Sequence, residues 1–179
     1  MVEFRILGPF EVVEGDQKLV LGGPKQRAVL AILLLHRGEV VSTERLIDEL
    51  WGERPPATAA KTVQVYVSNL RKALGDGLLV TQGHGYLLRT SPGQVDLDRF
   101  EALVSDARQA LRAGNAREGG DRFRQALALW RGRALEDFAY DRFAQSATTQ
   151  LEEQRVGALE DRIDADLAVG EHAALVPER

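Results

Sequence analysis

The chain has no cysteine, no long apolar run and no basic leader, and each absence excludes a class of protein. Without cysteine there is no disulfide framework, no thiol chemistry and no cysteine-ligated zinc site. The longest apolar run, residues 28–35, is far shorter than the ~20 residues that a membrane span needs. The first residues, MVEFRILG, alternate as a strand does and do not resemble a signal peptide. We therefore expect a cytoplasmic chain with no membrane partner.

Recognisable catalytic motifs are also missing. The three histidines, His36, His84 and His172, are far apart and form no zinc-binding spacing. There is no G-x-S-x-G nucleophile motif and no dinucleotide fingerprint. The GGPK sequence at residues 22–25 lacks the spacing of a phosphate-binding loop. We expect no enzyme activity, no catalytic residue, no cofactor and no metal site.

Charge is divided unevenly along the chain, whose formal net charge is −4. Residues 1–93 hold 11 Lys and Arg against 10 Asp and Glu, a net charge of +1. Residues 94–179 hold 12 against 17, a net charge of −5. Any DNA contact should therefore lie in the first half, with the acidic second half facing elsewhere. Because the first half is barely basic, we expect moderate affinity unless several copies bind together.

Acidic residues are absent from residues 55–75, and the most informative helix of the chain lies within that stretch. Val63, Val67, Leu70 and Leu74 recur at helical spacing between residues 57 and 74, which predicts one apolar face packed on a core. Thr58 is the expected N-cap of this helix.

The opposite face of the same helix is typical of a surface that contacts DNA. Amides read base edges in the major groove, aliphatic groups touch thymine methyls, and cations meet phosphates. Residues of these types on the face and its shoulders are Lys61, Gln64, Val65, Ser68, Asn69, Arg71 and Lys72. The pattern also suits an ordinary surface helix of a bundle, so this helix alone leaves both readings open.

The order of elements around this helix predicts a winged helix-turn-helix. Strands are predicted at 2–6, 11–13 and 18–21, helices at 24–35, 44–51 and 57–74, and a final hairpin at 78–81 and 86–89 joined through 82–85. Ser42 and Thr43 offer the N-cap of the second helix. In this arrangement the third helix enters the major groove and the hairpin, or wing, can reach the DNA backbone or minor groove. His84 at the wing tip and Arg89 at its base are phosphate-contact candidates, although a lone loop histidine is often only solvated.

The second half of the chain has a wholly helical pattern. The SPG sequence at residues 91–93 predicts a boundary between a DNA-binding domain at 1–92 and a helical domain at 93–179. Three amphipathic helices are expected there; their apolar positions are Leu97, Phe100, Leu103, Val104, Ala107 and Leu111 in the first, Phe123, Ala126, Leu127 and Trp130 in the second, and Phe143, Ala147, Leu151, Val156, Leu159, Ile163 and Leu167 in the third.

Antiparallel helices joined by a short Gly-Asn turn predict an all-α, tetratricopeptide-like domain. The helix-ending pattern LRAG at 111–114 recurs as LAVG at 167–170, so another hairpin is expected to begin at residues 172–176. Because the sequence stops at residue 179, we expect an incomplete helical domain with an unfinished apolar edge.

Six motifs occur in order over residues 2–90. They are ILGP at 6–9, GPKQRAVLA at 23–31, LIDELWG at 46–52, PP at 55–56, VYVSNLRKAL at 65–74 and GHGY at 83–86. In this combination the chain resembles the SARP (antibiotic regulatory protein) family of actinobacterial transcriptional activators, whose DNA-binding domain is similar to the OmpR and PhoB type of winged helix. Residues 95–179 resemble the opening of the bacterial transcriptional activation domain that follows in this family.

The resemblance implies residue roles that agree with the helical pattern. Residues 63–71 take the place of the recognition-helix core, which puts Gln64, Val65, Ser68 and Asn69 at base-facing positions and Arg71 and Lys72 near phosphates. Ser68 and Asn69 stand where many OmpR-type readers carry arginine, and Leu87 stands where PhoB-like proteins place a minor-groove arginine. The base preference of those relatives therefore does not transfer to this chain.

The resemblance also implies partners. The expected ligand is double-stranded DNA carrying direct repeats next to or overlapping a promoter −35 region. The chain would bind as side-by-side copies, a form of self-association on DNA, and contact RNA polymerase holoenzyme. The regulated genes would belong to a biosynthetic cluster for an antibiotic or other secondary metabolite.

An alternative function is a protein-interaction adaptor that does not bind DNA. In this reading the winged helix has turned to protein binding and the helical hairpins bind peptides. The acidic balance and the absence of arginine at two recognition positions favour it, and gel shifts against random duplexes distinguish the two hypotheses.

Overall fold

The computed structural model describes residues 1–170. Its elements in chain order are β1 (Val2–Arg5), β2 (Glu11–Glu14), β3 (Gln17–Lys18), α1 (Pro24–Leu35), β4 (Val41–Ser42), α2 (Thr43–Trp51), α3 (Ala59–Leu74), β5 (Leu79–Gln82), β6 (Gly85–Leu88), α4 (Asp96–Arg112), α5 (Ala116–Leu127), a short 3-10 helix (Glu136–Phe138) and α6 (Arg142–Ala168). The predicted fold class, an α+β winged helix-turn-helix followed by a helical part, is confirmed.

The first three strands form an antiparallel sheet in the order β1-β2-β3. Phe4 pairs with Val12, and both side chains are buried because alternate residues of a strand face the same side. The strand predicted at 18–21 is wrong in its bounds, since β3 ends at Lys18. Val20 is 88% exposed, and Gly22 at φ +88° turns the chain into α1.

The helix α1 is the centre of the first core. Residues 28–34 are all buried, as expected of a helix that is apolar on every side. The helices α2 and α3 and the strand β6 pack against it. Their packing fixes the position of α3 relative to the second sheet.

The helices α2 and α3 begin differently. Ser42 caps α2, because its Oγ accepts a hydrogen bond from the Arg45 N–H at 3.1 Å. Thr58 occupies the predicted N-cap position of α3, but its side chain makes no capping hydrogen bond. Ser42 has the extended backbone of a capping residue, with ψ 152°, whereas Thr58 has ψ 14°.

The wing belongs to a second antiparallel sheet, in the order β4-β6-β5. Gln82 pairs with Gly85, so the turn at the wing tip is only Gly83 and His84, shorter than the predicted connection. Gly85 is needed where β6 crosses β4, because a Cβ there would lie 2.3 Å from the Val41 carbonyl oxygen. Because Gly85 has no side chain, its backbone can approach β4 closely enough to pair with Ser42.

The helical part consists of α4, α5 and α6, with α5 packed against both neighbours. Phe100, Phe123 and Leu151 contribute large buried side chains to its core. The assignment of Trp130 to the second helix is wrong, because α5 ends at Leu127. Trp130 packs edge-on against Phe100 from the following loop, with ring centroids 5.4 Å apart.

The apolar face predicted for α6 is partly wrong. Val156, Leu159 and Leu167 are 52%, 41% and 49% exposed. The buried residues are mainly small, namely Ala144, Thr148, Leu151, Ala158, Ala165 and Asp166. Small residues face α5 because the two helices approach closely: a Cβ added to Gly120 would lie 3.7 Å from the Ala165 Cβ.

The N-terminal sheet joins the winged helix to the helical part. Asp96 is buried, and its two carboxylate oxygens accept hydrogen bonds from the backbone N–H groups of Ile6 and Leu7 at 2.9 and 3.0 Å. The Leu7 carbonyl in turn accepts the Arg131 N–H at 2.8 Å. The Asp137 carboxylate accepts the Phe10 N–H, also at 2.8 Å. The N–H groups of Ile6, Leu7 and Phe10 therefore find their acceptors in the helical part.

Two expectations concern the ends and the environment of the chain. Within the described residues, no helix combines the length and apolarity that crossing a bilayer requires. The hairpin expected at residues 172–176, together with His172, lies outside the described residues.

Candidate nucleic-acid interface

The two faces of α3 have opposite environments. Val63, Val67, Leu70 and Leu74 are at most 5% exposed and pack into the core formed with α1. Tyr66 is half-buried beside them. The apolar face predicted from helical spacing is therefore confirmed, and it fixes the rotation of α3 about its own axis.

The outward face of α3 carries the side chains that the sequence singled out as DNA contacts. Those exposed to solvent are Lys61, Gln64, Val65, Ser68, Asn69 and Lys72. Val65 is 50% exposed although it is apolar. Among the described residues, the side chains of Lys61, Gln64, Ser68 and Lys72 have no hydrogen bond or ion pair, so two amino groups, an amide and a hydroxyl are free to bind a ligand.

Asn69 lies at the edge of this face, where α3 meets the start of α1. Its Nδ2 donates a hydrogen bond to the Gln26 Oε1 at 3.0 Å. The Gln26 Nε2 donates to the Leu21 carbonyl at 2.8 Å, which orients the amide. Sequence reasoning missed Gln26, because a contact between residues 43 positions apart has no local pattern.

Arg71 connects α3 to the wing. Its Nε donates to the Leu79 carbonyl at 2.9 Å, and one terminal nitrogen donates to the Thr81 Oγ1 at 2.6 Å. The guanidinium also lies 5.9 Å from the centre of the Tyr86 ring. These contacts position β5 against α3, and a phosphate contact by Arg71 stays a prediction.

The wing tip lies beside the start of α2. The His84 carbonyl accepts hydrogen bonds from the Thr43 N–H at 3.0 Å and the Thr43 Oγ1 at 3.2 Å, while the imidazole is exposed. A cleft of about 530 Å³ opens here, and both Gln64 and His84 line it. Glu44 is the acidic residue that lines the same cleft.

Arg89 is exposed at the opposite end of the wing. Its backbone N–H donates to the Leu78 carbonyl at 2.8 Å, which extends the pairing of β5 and β6 by one step. The structure thus brings His84 to the Gln64 side of α3 and sets Arg89 at the end of the wing where the chain arrives from α3.

The outward face of α3 is free of acidic residues, although Glu44 of α2 lies beside it in the cleft. The exposed residues of α2 include Glu44 and Asp48, which would repel phosphates, whereas α3 has no acidic residue. Within residues 1–170 there is no group of three His, Asp or Glu side chains arranged to hold a metal ion. What this region offers a ligand is cations, amides and a hydroxyl on one helix face.

Two family models match the chain. "Transcriptional regulatory protein, C terminal" matches residues 16–88, and "Bacterial transcriptional activator domain" matches residues 95–179. Regulatory protein AfsR of Streptomyces griseus is 39% identical over 99% of this chain and 18% of its own length. Regulatory protein DnrI of Streptomyces peucetius is 37% identical over 99% of this chain and 69% of its own length. The chain belongs to the SARP family.

A solved structure of a relative extends the match to three dimensions. Mycobacterium tuberculosis EmbR, in its complex with a low affinity phosphopeptide, superposes with a TM-score of 0.95 at 34% identity. The match covers 99% of this SARP-family chain and 48% of the EmbR chain. The chain spans less than a fifth of AfsR and about half of EmbR. Both matched models and the named relatives are those of transcriptional regulators, not enzymes.

Proposed function

We propose that the chain is a sequence-specific DNA-binding transcriptional activator whose helix α3 enters the major groove. The observation that carries this proposal is the outward face of α3, which is exposed, free of acidic residues and held by the buried opposite face. Membership of a family of transcriptional regulators supports it. In the proposed division of labour, residues 1–92 bind DNA and residues 93–179 form the activation domain.

Each outward side chain has a chemical role at the duplex. The Gln64 amide can donate to and accept from an adenine edge, Ser68 can bond to several bases, and Val65 can touch a thymine methyl. Asn69 adds a second amide after exchanging its bond with Gln26 for a base edge. Lys61 and Lys72, with Arg71 as a further candidate, meet phosphates on either side. His84 and Arg89 extend the backbone contacts from the two ends of the wing.

Repeated binding follows from the modest chemistry of a single copy. One good bidentate contact discriminates between bases by ~1–3 kcal/mol, and this helix offers amides in place of arginines. Two copies on direct repeats would read twice as many bases. Side-by-side copies near a −35 region would then present their acidic helical parts to RNA polymerase. Control of a biosynthetic gene cluster as the biological role follows from the resemblance to SARP activators, and the similarity to the regulatory proteins DnrI and AfsR supports a role in gene regulation.

Selection of bound sequences from a random duplex pool tests the proposal. We expect the enriched duplexes to share a short motif that recurs once per helical turn, about 10–11 base pairs apart. A pool that shows no enrichment at moderate salt would overturn sequence-specific binding. A motif that occurs once per duplex would overturn the repeat while leaving DNA binding in place.

A further inference from the structure

A groove runs along the helical part between α4 and α6, away from the residues proposed to bind DNA. A cavity of about 410 Å³ lies between Arg112 and Gln154, and a second of about 460 Å³ opens beside Arg37 at the junction with the winged helix. Glu101 and Gln154 line both cavities, so the two form one continuous groove. No residue of α3 or of the wing lines it.

Polar side chains project into the groove once per helical turn from both sides. Residues three or four positions apart share one face of a helix. On these two helices the groove-lining polar residues are Glu101, Ser105, Arg108 and Arg112 of α4 and Ser146, Gln150 and Gln154 of α6. The winged helix adds His36, Arg37, Arg45 and Glu49 at its end of the groove, where Arg37 is paired with Asp98 and Arg45 with Glu49. The groove therefore has two facing rows of hydrogen-bonding groups.

Several of these groups have no partner within the described residues. No hydrogen bond or ion pair engages the side chains of Glu101, Arg112, Gln150 or Gln154 in residues 1–170. Arg108, by contrast, is paired with Asp161 at 2.8 Å. The unpaired charges are thus an anion near the winged helix and a cation at the far end of the groove.

The apolar floor of the groove is too small to receive an amphipathic helix. Phe100 and Val104 are only 1% and 7% exposed, and in the second cavity Leu97 and Leu151 are buried while Leu35, Phe143 and Ala147 are half-buried. A helix would therefore have little apolar area to bury. An extended chain suits the site better, because its backbone N–H and C=O groups need partners. A glutamine amide offers one acceptor and two donors, which satisfies both kinds of group.

We propose that this groove binds an extended peptide segment of a partner protein, with a basic side chain at Glu101 and an acidic side chain at Arg112. Gln154, which lines both cavities, hydrogen-bonds the peptide backbone beside Glu101, and Gln150 does so further along, in the cavity at the junction with the winged helix. Glu101 and Arg112 are 11 positions apart on α4, which is a rise of about 16 Å. An extended peptide rises about 3.3 Å per residue, so its two charges are about five residues apart.

Octapeptide libraries test the spacing. Both libraries are random except for two charged positions, and both are acetylated and amidated to remove the terminal charges. The first has lysine at the second position and aspartate at the seventh, and the second has the same two residues adjacent. The chain, immobilised without DNA, is expected to retain and enrich sequences from the first library only. Equal retention of both libraries, or retention equal to that of bare resin, would overturn the proposal.

Single variants test the site. Arg112→Ala and Gln154→Ala are each expected to lower the affinity for an enriched peptide about fivefold, because both side chains are exposed and contribute modest contacts. Fluorescence anisotropy measures the affinity. Arg117→Ala is the matched control, because Arg117 is an exposed arginine of α5 that does not line the groove. Equal affinity of Arg112→Ala and the control would overturn the assignment.

A second copy of the chain is the competing occupant. Sedimentation would then show a dimer that Arg112→Ala disperses, and no peptide would be enriched, which overturns the peptide proposal. Because all these measurements omit DNA, their failure is distinguishable from a failure of DNA binding.

Discussion

Lys72 and Gln64 lie on the same exposed face of α3 but are expected to meet different parts of a duplex. An ammonium group binds a phosphate irrespective of sequence, whereas an amide recognises one base edge. The two side chains have no partner in the described part of the chain, so their removal leaves the fold unaltered. The pair therefore separates affinity from specificity.

Lys72→Ala is expected to weaken binding to all duplexes alike and to lower the slope of log K against log salt by about one unit, since each neutralised phosphate contributes ~0.9. Gln64→Ala is expected to lose ~1–3 kcal/mol of discrimination at one base position with an unchanged slope. Anisotropy titrations at several salt concentrations measure both. Lys18→Ala, on β3, is the control for a lost lysine. If Lys72→Ala changed only the base preference, the assignment of the helix faces would be wrong.

The Glu11 carboxylate on β2 links the N-terminal sheet to the helical part. Its oxygens lie 3.1 Å from Arg5, 2.9 Å from Lys18 and 3.1 Å from Arg131. Burial raises the pKa of Glu11, but hydrogen bonds from Lys18 and Arg5 and the charge of Arg131 lower it more, so that it lies below the ordinary 4.5. A lowered pKa in the folded state contributes stability above pH 4.5, and this is lost as the pH falls through the folded value.

Glu11→Gln is expected to lower the free energy of unfolding near pH 7 by ~1–3 kcal/mol, the usual range for charged hydrogen bonds. The variant should also lose less stability than the parent between pH 5 and about pH 3. Urea unfolding across that range measures both effects. Glu14→Gln, an exposed change on the same strand, is the control. If the parent and Glu11→Gln lost the same free energy of unfolding between pH 5 and about pH 3, the stabilising role given to ionised Glu11 would be wrong. Asp96 cannot produce the same pH dependence. Burial raises its pKa, so its contribution to stability is present at low pH and is lost as the pH rises.

At the scale of elements, the two helices that frame the DNA face differ in how they begin. The Ser42 side chain caps α2, and Thr58 occupies the corresponding position of α3 without capping it. The Ser42 backbone also belongs to β4, which pairs with Gly85 of the wing. The start of α2 and the wing are therefore coupled.

Ser42→Ala is expected to cost about 1 kcal/mol of stability, as the loss of a serine cap usually does. Thr58→Ala is expected to change stability by no more than ~0.5 kcal/mol, because only an exposed side chain is removed. Chemical unfolding of the two variants checks the difference. A larger loss for Thr58→Ala than for Ser42→Ala would mean that Thr58 caps α3 in solution.

The elements also show what the sequence could and could not predict. Helical spacing predicted the buried face of α3, because four apolar residues at i, i+4, i+7 and i+11 have one way to reach a core. For α6 the same reasoning selected the larger residues and missed Ala158 and Ala165. A helical wheel shows which residues share a face but not which element that face packs against. Here Gly120 on α5 allows the small residues of α6 to approach closely.

Contacts distant in sequence were also beyond prediction. The bond from Asn69 to Gln26 and those from Arg71 to β5 depend on how three elements pack, and no local pattern encodes them. Both contacts bear on the proposed DNA face, since they tie two candidate readers to the fold. The side chains that the sequence assigned and that have no partner within residues 1–170, such as Gln64 and Lys72, carry the proposal more directly.

At the scale of the whole molecule, the winged helix and the helical part share one set of hydrogen bonds. The N–H groups of Ile6, Leu7 and Phe10 all donate to carboxylates of the helical part. Ile6 and Leu7 are also fully buried. A rigid junction of this kind would fix the angle between α3 and the helical part, which in the proposed function sets the activation domain relative to bound DNA.

The chain is expected to unfold in one cooperative transition, and residues 1–92 alone are expected to be less stable by several kcal/mol. Each buried donor left without a partner costs ~1–3 kcal/mol, against a total stability of ~5–15 kcal/mol for a domain. Thermal unfolding followed by circular dichroism compares the whole chain with the fragment. Two separate transitions in the whole chain, or a fragment that melts at the same temperature, would contradict this account of the junction.

The insertion of α3 into the major groove is the central claim, and dimethyl sulfate footprinting tests it most directly. The reagent methylates guanine N7, an atom exposed in the major groove. On a selected duplex we predict protection of guanines in two patches one helical turn apart, with Gln64→Ala weakening protection inside each patch. Undiminished methylation throughout a duplex that the chain demonstrably binds would contradict the claim.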